Sequence, residues 1–449
     1  MSVQLPVDTR LLRQSRDLRL LFGGRTISEL GSAIATVGAA VQVYGMAHSS
    51  LAVGALGMAA AVPMVAGLLA GGAAADATDR RRLILGTEAT AGVIVAGLAV
   101  NAASGHPQLW LLFVLAAASG AVAGLGAPAR SAAVPTLVTA EQLPAAAALN
   151  ATVNKAAALV GPALAGLVIA RFGVAATFGA DAASYLACAL MAARLRPLRP
   201  GGGGRRAGLG SFVEGLGYLR HHRLVSGLLF VDVTAMVFGM PSALFPAIGT
   251  GRFHGGATTV GLLYAAPAAG ALAGALTSGW IARVRHAGRV LLASVIVWGL
   301  AICGFGLAPS LLAALFWLAL AGTGDLVSEV LRSSMLQLSI PDRLRGRLSA
   351  LWLAQANAAP ALGNLEAGGV AGISTPVISV ISGGLACVLG AALLARVSPA
   401  LRRARLRPGE PGAPSAEGRG QPAVCAARIT WQAGPHGVTG IQIKGEERS

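Results

Sequence analysis

The chain has 449 residues, of which 55% are hydrophobic and only 12% are charged, and its mean hydropathy is +0.67. A soluble domain carries about 25% charged residues, so a surface this poor in charge faces lipid rather than water. The formal net charge of +17 would suit a nucleic-acid partner, but the basic residues fall in alternate connections between apolar runs, which argues against one.

The predicted elements are about twelve apolar spans, each able to cross a bilayer as a helix of about 20 residues. In chain order they cover 20–46, 51–75, 83–104, 108–128, 145–170, 173–194, 224–248, 258–282, 289–308, 310–333, 346–370 and 373–396. The predicted domains are an N-terminal segment 1–19, a six-helix bundle 20–196, a linker 197–223, a second six-helix bundle 224–398 and a disordered tail 399–449. The linker contains four consecutive glycines, and the tail is rich in Pro, Gly, Ala and Arg, so neither is expected to form a packed core.

The distribution of arginine predicts which connections face the cytoplasm. Arginines precede the first span, follow the second, eighth and tenth spans, and fill the linker, whereas Arg171 and Arg252 are the exceptions in the intervening connections. Cytoplasmic loops carry the excess of Lys and Arg in membrane proteins. We therefore expect a multi-pass protein of a bacterial cytoplasmic membrane (inner or plasma) with both termini in the cytoplasm. The bacterial source is inferred from the preference for Ala, Gly and Arg over Lys.

No cofactor or metal is expected. The four cysteines are far apart, and Cys188, Cys303 and Cys387 lie in apolar spans, where core packing is the default role. The chain has no Gly-x-x-x-x-Gly-Lys-Ser/Thr loop for nucleotide phosphates and no evident catalytic set. We therefore predict that it is not an enzyme and does not itself hydrolyse ATP.

Several motifs resemble one family of membrane proteins. The connection Gly72-x-x-x-Asp76-x-x-x-Arg80-Arg81 resembles the loop between helices two and three of the major facilitator superfamily of secondary transporters. Further similar stretches are 25–31, 41–44, 154–155, 161–166, 214–218, 341–347 and 362–368. Together they resemble the enterobactin-exporter-like branch over roughly residues 15–400. The resemblance implies an all-α major facilitator fold of two pseudo-symmetric six-helix bundles that alternate access to a central site.

The same resemblance implies a conformational latch formed by Gly72, Asp76, Arg80 and Arg81. In the family such an aspartate lies against the positive N-terminus of a helix from the other half. The four-residue spacing would also let Asp76 and Arg80 pair if the turn is helical. The alternative is that these charges only hold the loop in the cytoplasm. The equivalent stretch Gly279–Arg289 has Arg283 in place of the acid, so Asp76 should carry most of any latch.

Gly161, Pro162 and Gly166 partly match the antiporter-type motif of the fifth span. A proline removes a helical hydrogen bond and a glycine permits close helix approach. In exporters of the family the motif is thought to limit leakage, and the alternative is ordinary helix packing. It is the main sequence indication of export.

Acidic residues inside spans are the candidates for proton coupling, because a charge in the bilayer is costly and a carboxylate removed from water takes up a proton more readily. The candidates are Asp232, Asp325, Glu29, Glu329 and Glu366. Asp232 and Asp325 rank first because neither has a basic residue within one helical turn, although a structural hydrogen bond or cap is the alternative. In the family, spans one, seven, ten and eleven line the central cavity. Glu88 and Asp181 lie on spans three and six, which are peripheral in the family, so they rank lower as candidates. Arg130 lies too near the end of the predicted fourth span to match the exporter arginine of the family.

The polar groups expected to line the substrate cavity are Arg25, Gln42, Tyr44, Asn154, Asn357 and Asn364. The other expected lining is apolar, which suits a small apolar or amphipathic compound, drug-like or siderophore-like. The leading hypothesis is therefore proton-coupled efflux by a monomeric antiporter whose partners are that small molecule, protons and the lipid bilayer, and no nucleic acid. An uptake porter for a metabolite and a non-transporting membrane sensor remain alternatives.

Overall fold

The computed structural model describes residues 15–199, 217, 222–339 and 342–405, and this part of the chain contains twelve long helices. They are α1 Arg16–Ala47, α2 Ser50–Ala77, α3 Arg80–Ala103, α4 Leu109–Leu137, α5 Leu143–Phe172, α6 Val174–Ala193, α7 Arg223–Phe238, α8 Ala257–Leu276, α9 Ala287–Leu307, α10 Leu311–Ser339, α11 Asp342–Ile373 and α12 Pro376–Val397. Most of the predicted linker, the predicted tail from 406 and the first fourteen residues lie outside the described residues.

Eleven helical segments of the described chain are long and apolar enough to cross a membrane. The exception is α11, which has 32 residues but carries Gln355, Asn357 and Asn364 among its apolar residues. Large apolar side chains also point outward around the helices, and Leu312 is 80% and Val93 is 74% exposed. Outward-facing apolar side chains are expected of helices whose solvent is lipid.

Short polar residues and glycine set the helix boundaries. Ser15, Ser49 and Thr375 cap α1, α2 and α12, each side-chain oxygen accepting a backbone N–H of the first turn. Gly173 joins α5 to α6 with a φ of +78°, a backbone conformation that favours glycine. These local signals explain why the predicted and observed boundaries agree within a few residues at most helices.

Two helices differ most from the predicted spans. The fourth was expected to end at 128, but α4 continues through Pro128 and Pro135 to Leu137. Arg130 therefore lies inside α4, and the expectation that it falls at the end of the span is wrong. The seventh was expected to run to 248, but α7 ends at Phe238, and short turns of 3-10, α and π helix cover Ser242–Arg252.

The helices pack as two bundles with the same internal pattern. In the first half α2 packs against α4, and α3 packs against α4 and α6. In the second half α8 packs against α10, and α9 packs against α10 and α12. Adding six to each number converts the first pattern into the second, so the halves are pseudo-symmetric repeats.

The halves meet through α2 against α11 and through α5 against α8. We call the end of the molecule that carries Arg80–Arg82 the arginine-rich end and the other the arginine-poor end. At the arginine-poor end, a Cβ added to Gly54 would collide with the carbonyl oxygen of Asn364, and one added to Gly368 would lie 2.5 Å from that of Ser50. A Cβ on Gly166 would lie 2.8 Å from Thr258 Cα. Glycine therefore allows the two halves to approach backbone to backbone at this end.

Candidate functional site

One cavity among the described residues has a volume of about 490 Å³ and is lined mainly by the first half. We call it the polar cavity because four charged side chains and three asparagines face it. These residues are Arg25, Glu29, Glu88, Arg130, Asn150, Asn154 and Asn357. Only Asn357 among its lining residues comes from the second half, through α11.

The charges of the polar cavity are arranged in pairs. Arg25 lies 3.4 Å from Glu29, which is one turn further along α1. Arg130 of α4 lies 2.9 Å from Glu88 of α3, and Glu88 is only 3% exposed. Because each arginine has a carboxylate partner, these four side chains bring no formal net charge to the cavity. Hydrogen-bonding capacity rather than net charge is what the cavity offers a ligand.

The second cavity has a volume of about 330 Å³ and spans both halves. We call it the apolar cavity because Ala, Val, Leu and Phe dominate its wall. Ser32, Ala123 and Tyr185 line both cavities, so the two are adjacent parts of one interior space. Together they offer a ligand one polar and one apolar region.

Asn364 orders the turn after α7 in the wall of the apolar cavity. Its Oδ1 atom accepts hydrogen bonds from Ser242 Oγ and from the backbone N–H of Ala243, both at 2.8 Å. Tyr264 donates its hydroxyl to the carbonyl oxygen of Ser242 at 2.8 Å. These bonds satisfy backbone groups that the irregular turn after α7 leaves without helical partners.

The predicted cavity residues divide into two groups. Arg25, Asn154 and Asn357 line the polar cavity, and Asn364 lines the apolar cavity. Gln42 and Tyr44 line neither of these two cavities. Gln42 is 8% exposed, and Tyr44 packs beside a hydrophobic cluster with its ring 6.3 Å from that of His48.

Helices α7 and α10 contribute no lining residue to the polar or the apolar cavity, contrary to the architecture expected from the family resemblance. Asp232 of α7 instead lies 2.5 Å from Arg332 of α10, with exposures of 2% and 4%. Gln355 donates to the other oxygen of Asp232 at 2.8 Å, and the guanidinium of Arg332 lies 4.7 Å from the centre of the Trp352 ring. Asp232 has no basic residue within one helical turn of its own helix, but it has a basic partner from another helix.

The other acids of the second half differ in their surroundings. Glu329 of α10 pairs with Lys155 of α5 at 2.9 Å, and this ion pair connects the two halves. Asp325 faces a small space beside Pro241 and Trp298, and its Oδ1 atom has no hydrogen-bond partner among the described residues. Glu366 is half-buried on α11.

Of the predicted latch residues, the two arginines form hydrogen bonds within the first half. Because α2 ends at Ala77 and α3 begins at Arg80, the five residues from Asp76 to Arg80 do not form a helical turn, and the described residues show no Asp76–Arg80 ion pair. Asp76 is exposed, as Gly72 partly is. Arg80 donates to the carbonyl oxygen of Ala132 at 3.1 Å, and Arg81 donates to that of Ala193. In this conformation both arginines hold the loop on α4 and α6.

Asp79 is the residue of this loop that the sequence reasoning missed. Its Oδ1 atom accepts the backbone N–H of Arg81 and that of Leu198, each at 2.9 Å. It therefore caps α3 and fixes the segment after α6 at once. The available signal was an aspartate immediately before a new helix, which is a typical N-cap.

Gly161, Pro162 and Gly166 lie where α5 contacts both halves. A Cβ on Gly161 would collide with Ala33 of α1, and Gly261 of α8 packs against the carbonyl oxygen of Pro162. The motif thus provides close packing of α5 between α1 and α8.

Comparison with known proteins identifies relatives over nearly the whole chain. The sequence profile of the family described as transmembrane secretion effector matches residues 12–437. The enterobactin exporter EntS of Citrobacter koseri is 33% identical over 405 residues, which cover 90% of this chain and 97% of the relative. EntS of Escherichia coli O81 is 33% identical over 398 residues, 89% of this chain and 95% of the relative.

Solved transporter structures share the fold at low sequence identity. The nucleoside transporter NupG superposes with a TM-score of 0.67 at 12% identity, covering 86% of this chain and 98% of its own. A bacterial homologue of the human lysosomal transporter Spinster, in an inward-facing and unoccupied conformation, gives a TM-score of 0.66 at 16% identity, covering 87% and 98%.

Proposed function

The chain belongs to the transmembrane secretion effector family of major facilitator transporters, and on this premise we propose that it exports a siderophore-like compound in exchange for protons. The observation that carries the proposal is the division of the interior into a polar cavity and an apolar cavity that share Ser32, Ala123 and Tyr185. A compound with a polar, hydrogen-bonding part and an aromatic or apolar part matches both regions. Relatives that cover the same length are named as exporters of enterobactin, which makes it the first compound to test.

The charge pattern supports a specific mode of recognition. Arg25 and Arg130 are the cationic groups of the polar cavity, and each is paired with a carboxylate. A guanidinium has five N–H donors, so an arginine that is already paired with a carboxylate can still donate a hydrogen bond to a ligand oxygen. The ligand does not need a full negative charge for this contact. Asn150, Asn154 and Asn357 offer further donors and acceptors for hydroxyl or amide groups of the ligand.

Alternating access is supported by the asymmetry between the two ends. The glycine contacts hold the halves together at the arginine-poor end, whereas Asp76 at the arginine-rich end is exposed. This is the arrangement of a transporter whose cavity opens at the arginine-rich end. In the proposed orientation that end faces the cytoplasm, by the positive-inside rule, and both termini lie there. Loading from the cytoplasm is the step an exporter requires first.

Transport by the purified protein in vesicles tests the proposal. Inside-out vesicles with an acidic interior should accumulate enterobactin, and a protonophore should abolish the accumulation. Accumulation only in right-side-out vesicles would establish an uptake porter instead. Absence of flux in either orientation, combined with an enterobactin-dependent rise in melting temperature, would establish a sensor.

The polar cavity can be tested in the same assay with a matched pair of variants. Arg130→Gln removes the cavity guanidinium and leaves Glu88 buried without its partner, so transport should fall sharply. Arg171→Gln changes an arginine in the last turn of α5 that makes no ion pair among the described residues, and transport should be unchanged. Equal activity of the two variants would contradict the assignment of the polar cavity to the ligand.

A further inference from the structure

The contact between α1 and α6 is built around glycines at seven-residue intervals. Gly24, Gly31 and Gly38 of α1 face Cys188, Ser184 and Thr177 of α6. A Cβ at Gly31 would collide with Ser184 Oγ and would lie 2.7 Å from Oδ1 of Asp181. Glycine at this position therefore lets a carboxylate pack directly against the α1 backbone, where a larger residue would exclude it.

Asp181 lies in the wall of the apolar cavity and is only 3% exposed. Its Oδ1 atom accepts hydrogen bonds from Ser184 Oγ at 3.1 Å and Ser32 Oγ at 3.3 Å. Ser32 Oγ in turn lies 3.1 Å from the hydroxyl of Tyr185, which lines both cavities. A chain of hydroxyl groups thus connects Asp181 with the polar cavity.

No cation balances Asp181 within the described residues. The acids that line the polar cavity, Glu29 and Glu88, each have an arginine within 3.4 Å, whereas Asp181 has only hydroxyl donors. Helix α1 faces it with Ser32, and α6 itself adds Ser184 and Tyr185. Helix α3 contributes Glu88, whose negative charge is compensated by Arg130 of α4. An unpaired carboxylate in an apolar interior is costly as an anion, and binding a proton removes that cost.

We propose that Asp181 is a proton-binding site of the transport cycle, positioned by Gly31 and connected to the polar cavity through Ser32 and Tyr185. This proposal rests on the proposed exchange of substrate for protons. When the arginine-poor end opens, a hydronium ion gives one proton to the Asp181 carboxylate and leaves a water molecule. When the arginine-rich end is open and the ligand enters the polar cavity, the neutral carboxyl returns that proton to water along the Ser32 and Tyr185 hydroxyls.

Infrared difference spectroscopy of the purified protein tests proton binding without any substrate. Between alkaline and acidic pH, the wild type should gain the C=O stretching band of a protonated carboxyl group. Asp181→Asn should lack one component of that band, and Asp181→Glu should show it at a shifted position. Ser184→Ala is the matched control, because it removes a hydrogen bond to Asp181 and keeps the carboxyl, so it should retain the band.

A spectrum of Asp181→Asn identical to the wild type overturns the proposal. If Asp181→Asn does not fold, an unshifted band in Asp181→Glu overturns it equally.

A transport assay separates proton coupling from a structural role. In vesicles loaded with enterobactin, Asp181→Asn should keep counterflow, the exchange of labelled for unlabelled enterobactin. Its accumulation driven by a pH gradient should fall to that of wild-type vesicles treated with a protonophore. Loss of both activities, or retention of gradient-driven accumulation, overturns the proposed role. If the wild type itself shows no gradient-driven accumulation, the proposed function fails, and the infrared titration still decides whether Asp181 binds a proton.

Discussion

At the residue scale, neighbouring acids of similar sequence context have different surroundings. Asp76 and Asp79 are three residues apart in one charged loop, yet Asp76 is exposed and Asp79 accepts two backbone N–H groups. Asp181 and Asp232 are both buried in helices, yet Asp232 contacts an arginine and Asp181 contacts hydroxyl groups. The role of an acid therefore depends on the groups it contacts in the folded protein, and its neighbours along the chain do not reveal that role.

The two loop aspartates give a first prediction. Asp79→Ala should destabilise the protein by about 1–2 kcal/mol, because it removes an N-cap and leaves the Leu198 N–H without its partner. Thermal unfolding of the purified protein measures the effect. Asp76→Asn should leave the melting temperature unchanged but reduce transport at near-normal abundance, if Asp76 forms the latch in the other conformation. Full transport by Asp76→Asn would eliminate the latch.

A second prediction concerns Asp232. Asp232→Asn leaves Arg332 buried without its anion and should cost about 3–5 kcal/mol of stability. Replacing both residues, as in Asp232→Leu with Arg332→Leu, should recover most of that loss, because no charge then remains buried. Thermal unfolding distinguishes the single from the double variant. A stable Asp232→Asn protein that has lost proton coupling would instead support the role that the sequence suggests for Asp232.

At the element scale, glycines decide where helices from opposite halves can touch. Helix α2 approaches α11 at Gly54 and Gly368, and α5 approaches α8 at Gly166 and Gly261. The two contacts are equivalent under the exchange of halves, since α2 corresponds to α8 and α11 to α5. Close packing of small residues is how helices associate in lipid, where burial of apolar surface gives little driving force.

Adjacent glycines of α11 supply a third prediction. Gly368→Ala places a methyl group 2.5 Å from the carbonyl oxygen of Ser50, whereas Gly369→Ala places one in open space. Gly368→Ala should therefore weaken closure of the arginine-poor end, and Gly369→Ala should not. A cysteine at Ala39, in the wall of the apolar cavity, reports closure through labelling by a membrane-impermeant maleimide from outside the cell. Equal labelling rates in the two variants would show that this contact does not control access.

At the scale of the whole molecule, the halves are joined by the two glycine contacts and by the Lys155–Glu329 ion pair. The ion pair is half-exposed, with side-chain exposures of 42% and 47%, so solvent weakens it. A pair of this kind contributes at most about 1 kcal/mol. That amount is enough to shift a balance between two conformations several-fold without locking either.

The ion pair gives a fourth prediction. Lys155→Glu puts two like charges in contact across the halves and should disfavour the present conformation, which raises maleimide labelling at Ala39→Cys. Lys155→Glu combined with Glu329→Lys restores opposite charges and should return labelling toward the wild-type rate. Failure of the charge exchange to restore labelling would mean that the pair does not couple the halves.

Much of the fold could be predicted from sequence because lipid imposes strong constraints on composition. The twelve helices were expected at nearly their observed positions, and the shared fold of distant transporters is consistent with the two-bundle arrangement. The errors arose where local rules are ambiguous. The fourth span was predicted to end at 128, but α4 continues through Pro128, because a proline in a membrane helix is tolerated when neighbouring groups satisfy the freed backbone. Arg130 was misplaced for that reason.

The candidate site was less predictable than the fold, because its contacts join residues far apart in the chain. Arg332 is 100 residues from Asp232, Glu329 is 174 from Lys155, and Ser32 is 149 from Asp181. Helical spacing can indicate partners within one helix, such as Arg25 and Glu29, which lie four residues apart. It has no information on partners that come from another helix.

The sequence by itself determined that this chain is a helical membrane protein, and its motifs indicated the transporter family, because apolar length and arginine distribution are properties of individual segments. Only the tertiary structure decided which charges neutralise one another and which acid lies unpaired beside a cavity. The physical reason is that the energy of a buried charge depends on the groups within a few ångströms of it. For Asp181 those groups are supplied by α1 and α6 together.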